Sequence, residues 1–289
     1  MAVGRGVGSN LEPQSIALRS GMVSFLVRRH PRSRGLRMTI DHRLGLVVSI
    51  PPATRRGWTS QAVVVGRIEA FLREREPWIV RHLAAREREQ VAQRARGGAR
   101  DGGTVLYLGV GHRVVERAAA AGARRSVVER SGGETGDELV VHRAAADRRT
   151  TGAILEAWLR ARARVSIDRA IERHAAAMRV NPTAVSLRDP RSRWGSASKQ
   201  GRLMFSWRLV LAPPGSLETV VVHELAHLRV FGHGPRFWAL VADRRPAHLA
   251  DRAWLRRHAT ELHVALDTDH LESRRARLPG PFDVRAGVG

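Results

Sequence analysis

The chain contains no cysteine. That excludes a disulfide framework and every thiolate zinc site, so a metal here has to be held by histidines and carboxylates. Lysine and tyrosine are nearly absent too: Lys199 and Tyr107 are the only ones in 289 residues. No apolar run approaches the roughly 18 to 20 residues that span a bilayer, which excludes a transmembrane helix and a membrane partner of that kind. The opening MAVGRGVGSNLEPQSIALRS lacks the apolar core of a secretory signal, so a cytoplasmic protein is expected. Acid is scarce beside base, with 27 Asp and Glu against 50 Lys and Arg and a net charge of +23. Such an excess has two readings: a surface that meets polyanions, or an arginine-rich composition of the kind GC-rich coding produces.

What is present is enough for globular structure. Hydrophobic residues make up 43% of a chain long enough for one large domain or two modest ones. Residues 1–20 and 269–289 are Gly-, Pro- and Arg-rich without hydrophobic period and read as loose tails. Val23–Arg29, Leu36–Ile40 and Leu44–Ile50 are short and rich in β-branched residues, and read as an antiparallel meander ended by Pro51-Pro52. One long helix is expected over about 60–93, and strands at Thr104–Leu108, His112–Val115, Ser126–Val128 and Glu138–His142. These form an N-terminal β-rich region over 21–150, with no internal repeat evident. A helix from about 153 to 178 then opens a catalytic unit over 151–268, which carries a hairpin over 193–207. Its next helix runs from Leu217 to about Val230, with Ser216 as N-cap and Gly232 as stop. The fold class is α+β.

That last helix carries Val220-Val221-Val222-His223-Glu224-Leu225-Ala226-His227-Leu228. His223 and His227 are four apart, so their imidazoles leave one face a turn apart and can reach one zinc ion at about 2.0–2.1 Å. Glu224 stands beside the first ligand, where its carboxylate can act on a water at the metal without being a ligand. Catalytic zinc takes three protein ligands and keeps a position open. His233, between Gly232 and Gly234, is placed where the chain can turn back to supply the third. Thirteen histidines make the bare pattern a small chance risk, which the apolar helix and the third histidine reduce. A structural zinc would want a fourth protein ligand, and none lies nearby in sequence. His174, His248, His258 and His263 read as solvated helix positions, and Trp194, Trp207 and Trp238 as packing.

Arg193-Trp194-Gly195-Ser196, Phe205-Ser206-Trp207-Arg208-Leu209, Ala212-Pro213-Pro214, the HELAHL run, Gly232-His233 and Phe237-Trp238 follow one another in this order. Together they resemble the YgjP-like metallopeptidases, relatives of the SprT-like proteases. The resemblance is strong over about 153–265 and less specific over the N-terminal strands and Trp78-Ile79, and 117–150 looks like a variable insertion. It departs at Ala197, where the family often has Cys, and at Ser206, where it often has Asn.

The resemblance implies a zincin-like unit with one Zn2+, and zinc-dependent hydrolysis of peptide or protein substrates. Glu224 would serve as base and then as acid. Arg193, in the hairpin before the zinc helix, is the candidate oxyanion donor, with a salt-bridged structural arginine as its other reading. Two further functions stay open. One is a DNA-associated protease recruited through Arg28, Arg29, Arg32, Arg34 and Arg37; the other is a zinc-binding module without significant hydrolysis.

Overall fold

Alternating apolar residues in the first strands require a partner layer, and two helices supply it. The computed structural model describes residues 12–41, 44–133, 136–190 and 193–266. They divide into two compact units, one up to Gln90 and one from Val91 onward.

In the first unit β1 (Glu12–Leu18), β2 (Gly21–Arg29), β3 (Arg37–Asp41) and β4 (Gly45–Ile50) form one sheet in the order β1-β2-β4-β3. The pairs β1/β2 and β3/β4 are antiparallel, but β2 and β4 run parallel, Phe25 opposite Leu46. The sheet is therefore mixed rather than a meander. Val23, Phe25, Val27, Val48 and Ile50 point to one face, where they meet Val64, Ile68 and Leu72 of α1 (Gln61–Glu74) and Ile79 and Leu83 of α2 (Glu76–Ala95).

Two expectations are corrected here. The loose segment expected over 1–20 is a strand from Glu12 to Leu18, because Ile16 and Leu18 are buried on the sheet's apolar face; residues 1–11 and 269–289 lie outside the described residues. The single helix expected over 60–93 breaks at Arg75. Pro77 has no N–H to bond back to Arg73 and its ring crowds that carbonyl, so a new helix starts at Glu76.

The second unit begins with the same arrangement. β5 (Thr104–Tyr107), β6 (Val110–Ala118), β7 (Val127–Gly133) and β8 (Gly136–Arg143) pair in the order β5-β6-β8-β7. β6 and β8 are parallel and the outer pairs antiparallel. A helix follows each sheet, so the chain repeats one β-β-β-β-α module that its sequence hides. The stretch 117–150, expected as an insertion, supplies the whole of β7 and β8.

α3 (Thr151–Met178) follows, capped by the Thr150 hydroxyl, which accepts from Ala153 N at 3.2 Å. Leu155, Leu159, Ala163 and Ile167 are fully buried along it. β9 (Ala184–Arg188), β10 (Gly195–Ala197) and β11 (Arg202–Ser206) form a small sheet in the order β10-β11-β9, with β9 and β11 parallel and β10 at an edge. Trp207–Leu211 makes a 3-10 turn into α4 (Pro214–His227), and α5 (Pro235–Arg244) and α6 (His248–Val264) close the unit. α4 starts at Pro214 rather than near Leu217, since Pro213 is its N-cap and proline suits the first helical position. Buried Arg208 ties three parts together: it donates to both Asp189 oxygens at 2.7 and 3.1 Å and to Leu262 O at 3.0 Å. Among the described residues no helix is long and apolar enough to cross a membrane.

The second compact unit begins at Val91 because the second sheet shares a core with α3, α4, α5 and α6. Its Leu108-Gly109 turn, with φ of 53° and 82°, donates from both backbone N–H groups to Val210 O and Leu211 O at 2.8 and 3.0 Å. A Cβ on Gly109 would lie 2.7–3.0 Å from Pro213, at the start of α4. Gly109→Ala is therefore expected to cost about 2–3 kcal/mol, from positive φ plus overpacking. Gly122→Ala, at a similar φ of 80° with nothing within 4 Å, should cost about 1 kcal/mol. Urea denaturation of both variants checks this, and equal losses would mean that the Pro213 contact is soft.

Candidate metal centre

α4 is buried on nearly every side: Val221, Val222, Leu225 and Ala226 have no exposed surface. The remaining face turns out His223 and His227, both half-buried, with ring centroids 4.8 Å apart. α4 ends at His227, three residues before the expected Val230. The chain then turns through 228–234 and returns exposed His233 to the same point. The ligand nitrogens of His223, His227 and His233 all lie within 4.8 Å of one another. His223 Nε2 and His233 Nε2 are 3.2 Å apart. Two nitrogens each about 2.0–2.1 Å from one tetrahedral ion would be about 3.4 Å apart. A cation shared by the two nitrogens, or a proton on one of them, accounts for so short an approach. His227 Nδ1 lies 3.2 Å from Val230 O; a proton on Nδ1 donates there and leaves Nε2 free for a metal. The donor set fits zinc, and no fourth His, Asp or Glu joins it among the described residues.

The second layer is aromatic. Phe237, fully buried on α5, lies 4.6–4.8 Å from all three rings and backs the site. Trp238 stands 5.7 and 5.8 Å from His223 and His233, stacks on His248, and has the Arg252 guanidinium 4.3 Å above it. Of the three tryptophans expected as packing, Trp207 is fully buried and Trp194 stacks on His263, while Trp238 borders the site. The histidines expected on solvated surfaces are mostly buried: His174, His248 and His263 are below one-tenth exposed. Their helices pack on two sides, which a one-sided periodicity does not reveal. His258 is half-exposed and pairs with Glu261 at 2.7 Å.

Glu224 is 5% exposed. Burial, opposed by the positive charge of Arg193, raises its carboxyl to about 7. Burial also pushes His223 down to about 3, helped by His227, His233 and Arg252, and it lowers His227. These imidazoles are neutral near pH 7, the form that ligates a metal. Arg193 is exposed and makes no hydrogen bond to a described residue, so it acts on Glu224 through charge alone. The residue that sequence reasoning missed is Gly195. A Cβ there would lie 2.6–2.9 Å from the Glu224 side chain, so only glycine lets the β10 edge meet the carboxylate. The Arg-Trp-Gly-Ser run was the available signal.

Three imidazoles converge beside a buried carboxyl, with no fourth His, Asp or Glu among the described residues, an arrangement that can hold a metal ion and keep a position open. The family model of the YgjP-like metallopeptidase domain matches residues 35–258, most of the chain, and the chain belongs to that family. Neither a curated protein nor a solved structure gives a match.

The Glu224 shift has a consequence for stability. Its folded value lies above the ordinary 4.5, so between about 4.5 and 7 the unfolded chain loses this proton before the folded one. The stability of metal-free protein therefore falls as pH rises through that window, by up to roughly 3 kcal/mol from this group. In chelator-treated protein, Glu224→Gln should gain over the parent from pH 4.5 to 7 and differ little in slope outside it. Urea titrations across that range test the sign; a gap that does not change with pH would mean that the carboxyl is not desolvated.

Proposed function

We propose that the chain is a zinc peptidase that hydrolyses peptide bonds with Glu224 as the proton carrier, His223, His227 and His233 holding one Zn2+ per chain. The observation that carries this reading is the convergence of three histidines beside a buried carboxyl. Bound zinc supplies a Lewis acid that acidifies a water and polarises the scissile carbonyl. The chain's own groups do the rest. Glu224, buried beside the histidines, accepts the attacking water's proton and returns it to the leaving amine. Gly195 keeps the strand edge close without displacing that carboxylate. The Val230 carbonyl holds His227 in one tautomer. Arg193, exposed at the mouth, is the candidate donor to the developing oxyanion, and its charge also acts on Glu224.

Recruitment to DNA through Arg28, Arg29, Arg32, Arg34 and Arg37 has less support. Arg28 Nε donates to Ser49 Oγ at 2.9 Å, and Arg29 donates to Pro51 O and Trp58 O at 3.1 and 3.4 Å. Two of the five are thus engaged within the fold, and Arg32, Arg34 and Arg37 stay exposed. A zinc-binding module without hydrolysis would leave the buried Glu224 carboxyl without a use.

Elemental analysis with a proteolysis assay on denatured protein tests the proposal. Purified protein should carry about one zinc per chain, and alanine at 223, 227 or 233 should remove most of it. Glu224→Gln should keep the zinc and lose roughly 10² to 10⁴ of the hydrolysis, because it cannot accept the proton. Zinc lost from the Gln variant would recast Glu224 as a ligand. Full zinc with undiminished hydrolysis would exclude the proton-carrier role.

A further inference from the structure

The two repeated modules share more than topology: in each, the loops after the second and fourth strands carry pairs of exposed arginines. In the first module these are Arg32 and Arg34, then Arg55 and Arg56; in the second, Arg124 and Arg125, then Arg148 and Arg149. In the second module the two loops border a shallow, open cleft of ≈ 490 Å³ lined by its four arginines with Ala146 and Asp147. A second trough of ≈ 430 Å³ is formed by the neighbouring residues of the same loops, largely Ala118–Ala121, Gly122, Ala123, Ala144 and Ala145.

The acids at this end are already engaged. Asp147 accepts from Arg149 at 2.6 and 2.9 Å, and Glu116 from Arg143 at 2.9 and 3.0 Å. Arg124, Arg125 and Arg148 make no hydrogen bond or ion pair with a described residue. Three uncompensated guanidiniums therefore face one cleft, where each raises the cost of the others until an anion arrives.

We propose that this cleft seats the phosphate backbone of a nucleic-acid duplex. The guanidinium fork matches two phosphate oxygens, and alanine and glycine along the trough leave room for a sugar–phosphate backbone to approach. No aromatic side chain lines either cavity, so the stacking platform that single-stranded binders use is missing. Contacts to the backbone of a duplex need none. The inference does not depend on the peptidase reading, and its test needs no hydrolysis.

The experiment is fluorescence anisotropy of the full chain with a labelled duplex of about 20 base pairs, with salt raised from about 50 to 200 mM. The parent is compared with Arg124→Ala/Arg125→Ala/Arg148→Ala. A control, Arg169→Ala/Arg256→Ala/Arg257→Ala, removes the same charge from exposed positions on α3 and α6. The cleft variant should flatten the slope of log affinity against log salt by about 2–3, at about 0.9 per lost phosphate contact, and the control by less than about 1. Ala120→Glu keeps every arginine and should weaken binding at least about tenfold by placing a carboxylate in the trough. Equal flattening by the two triple variants would overturn the proposal in favour of general polycation attraction. So would polyglutamate displacing the duplex as well as unlabelled duplex does, which would make the ligand an acidic protein segment.

Discussion

Burial of one helix is the constraint on which the candidate metal centre depends. Two imidazoles one turn apart hold a common geometry only if the backbone beneath them cannot shift, and α4 is held by Val221, Val222, Leu225 and Ala226 with no exposed surface. Its start is fixed as firmly. Arg245 donates to Gly215 O, Glu218 and Asp251 at 2.9–3.1 Å, so α4, α5 and α6 share one polar clamp. With the helix immobile, a short turn after His227 is enough to bring His233 back, and buried Phe237 stops the three rings from collapsing inward.

The same desolvation sets the chemistry. It keeps His223 and His227 neutral, as ligation requires, and raises the Glu224 carboxyl towards neutrality. One physical cause thus acts on the two histidines and on the carboxyl beside them. Gly195 completes the arrangement by omission, since any side chain there would occupy the space of the Glu224 carboxylate. Its neighbour Arg193 brings positive charge to that carboxyl from an exposed position.

The repeated module gives the rest of the chain a common plan. Both sheets pair a parallel centre with antiparallel edges and are followed by a helix. In the second unit the sheet is bonded directly to the segment that leads into α4, through Leu108 and Gly109. The family match over 35–258 takes in residues of both modules as well as the metal centre.

What the sequence determined by itself was local. The i, i+4 histidines, the glutamate between them and the glycine-flanked third histidine were legible because a helix converts spacing into a face. Most strands were legible from alternation, and Pro77 could have shown the break between α1 and α2. Tertiary structure alone decided the rest: the parallel pairing of β2 with β4, the module repeat, the boundary at Gln90/Val91, burial of His174, His248 and His263, and the Gly195–Glu224 contact. Each joins residues far apart in the chain, and a one-dimensional pattern records that a side chain prefers burial without recording what buries it. The pKa of Glu224 belongs to that second group, because it measures how completely water has been removed by partners that only the fold brings together.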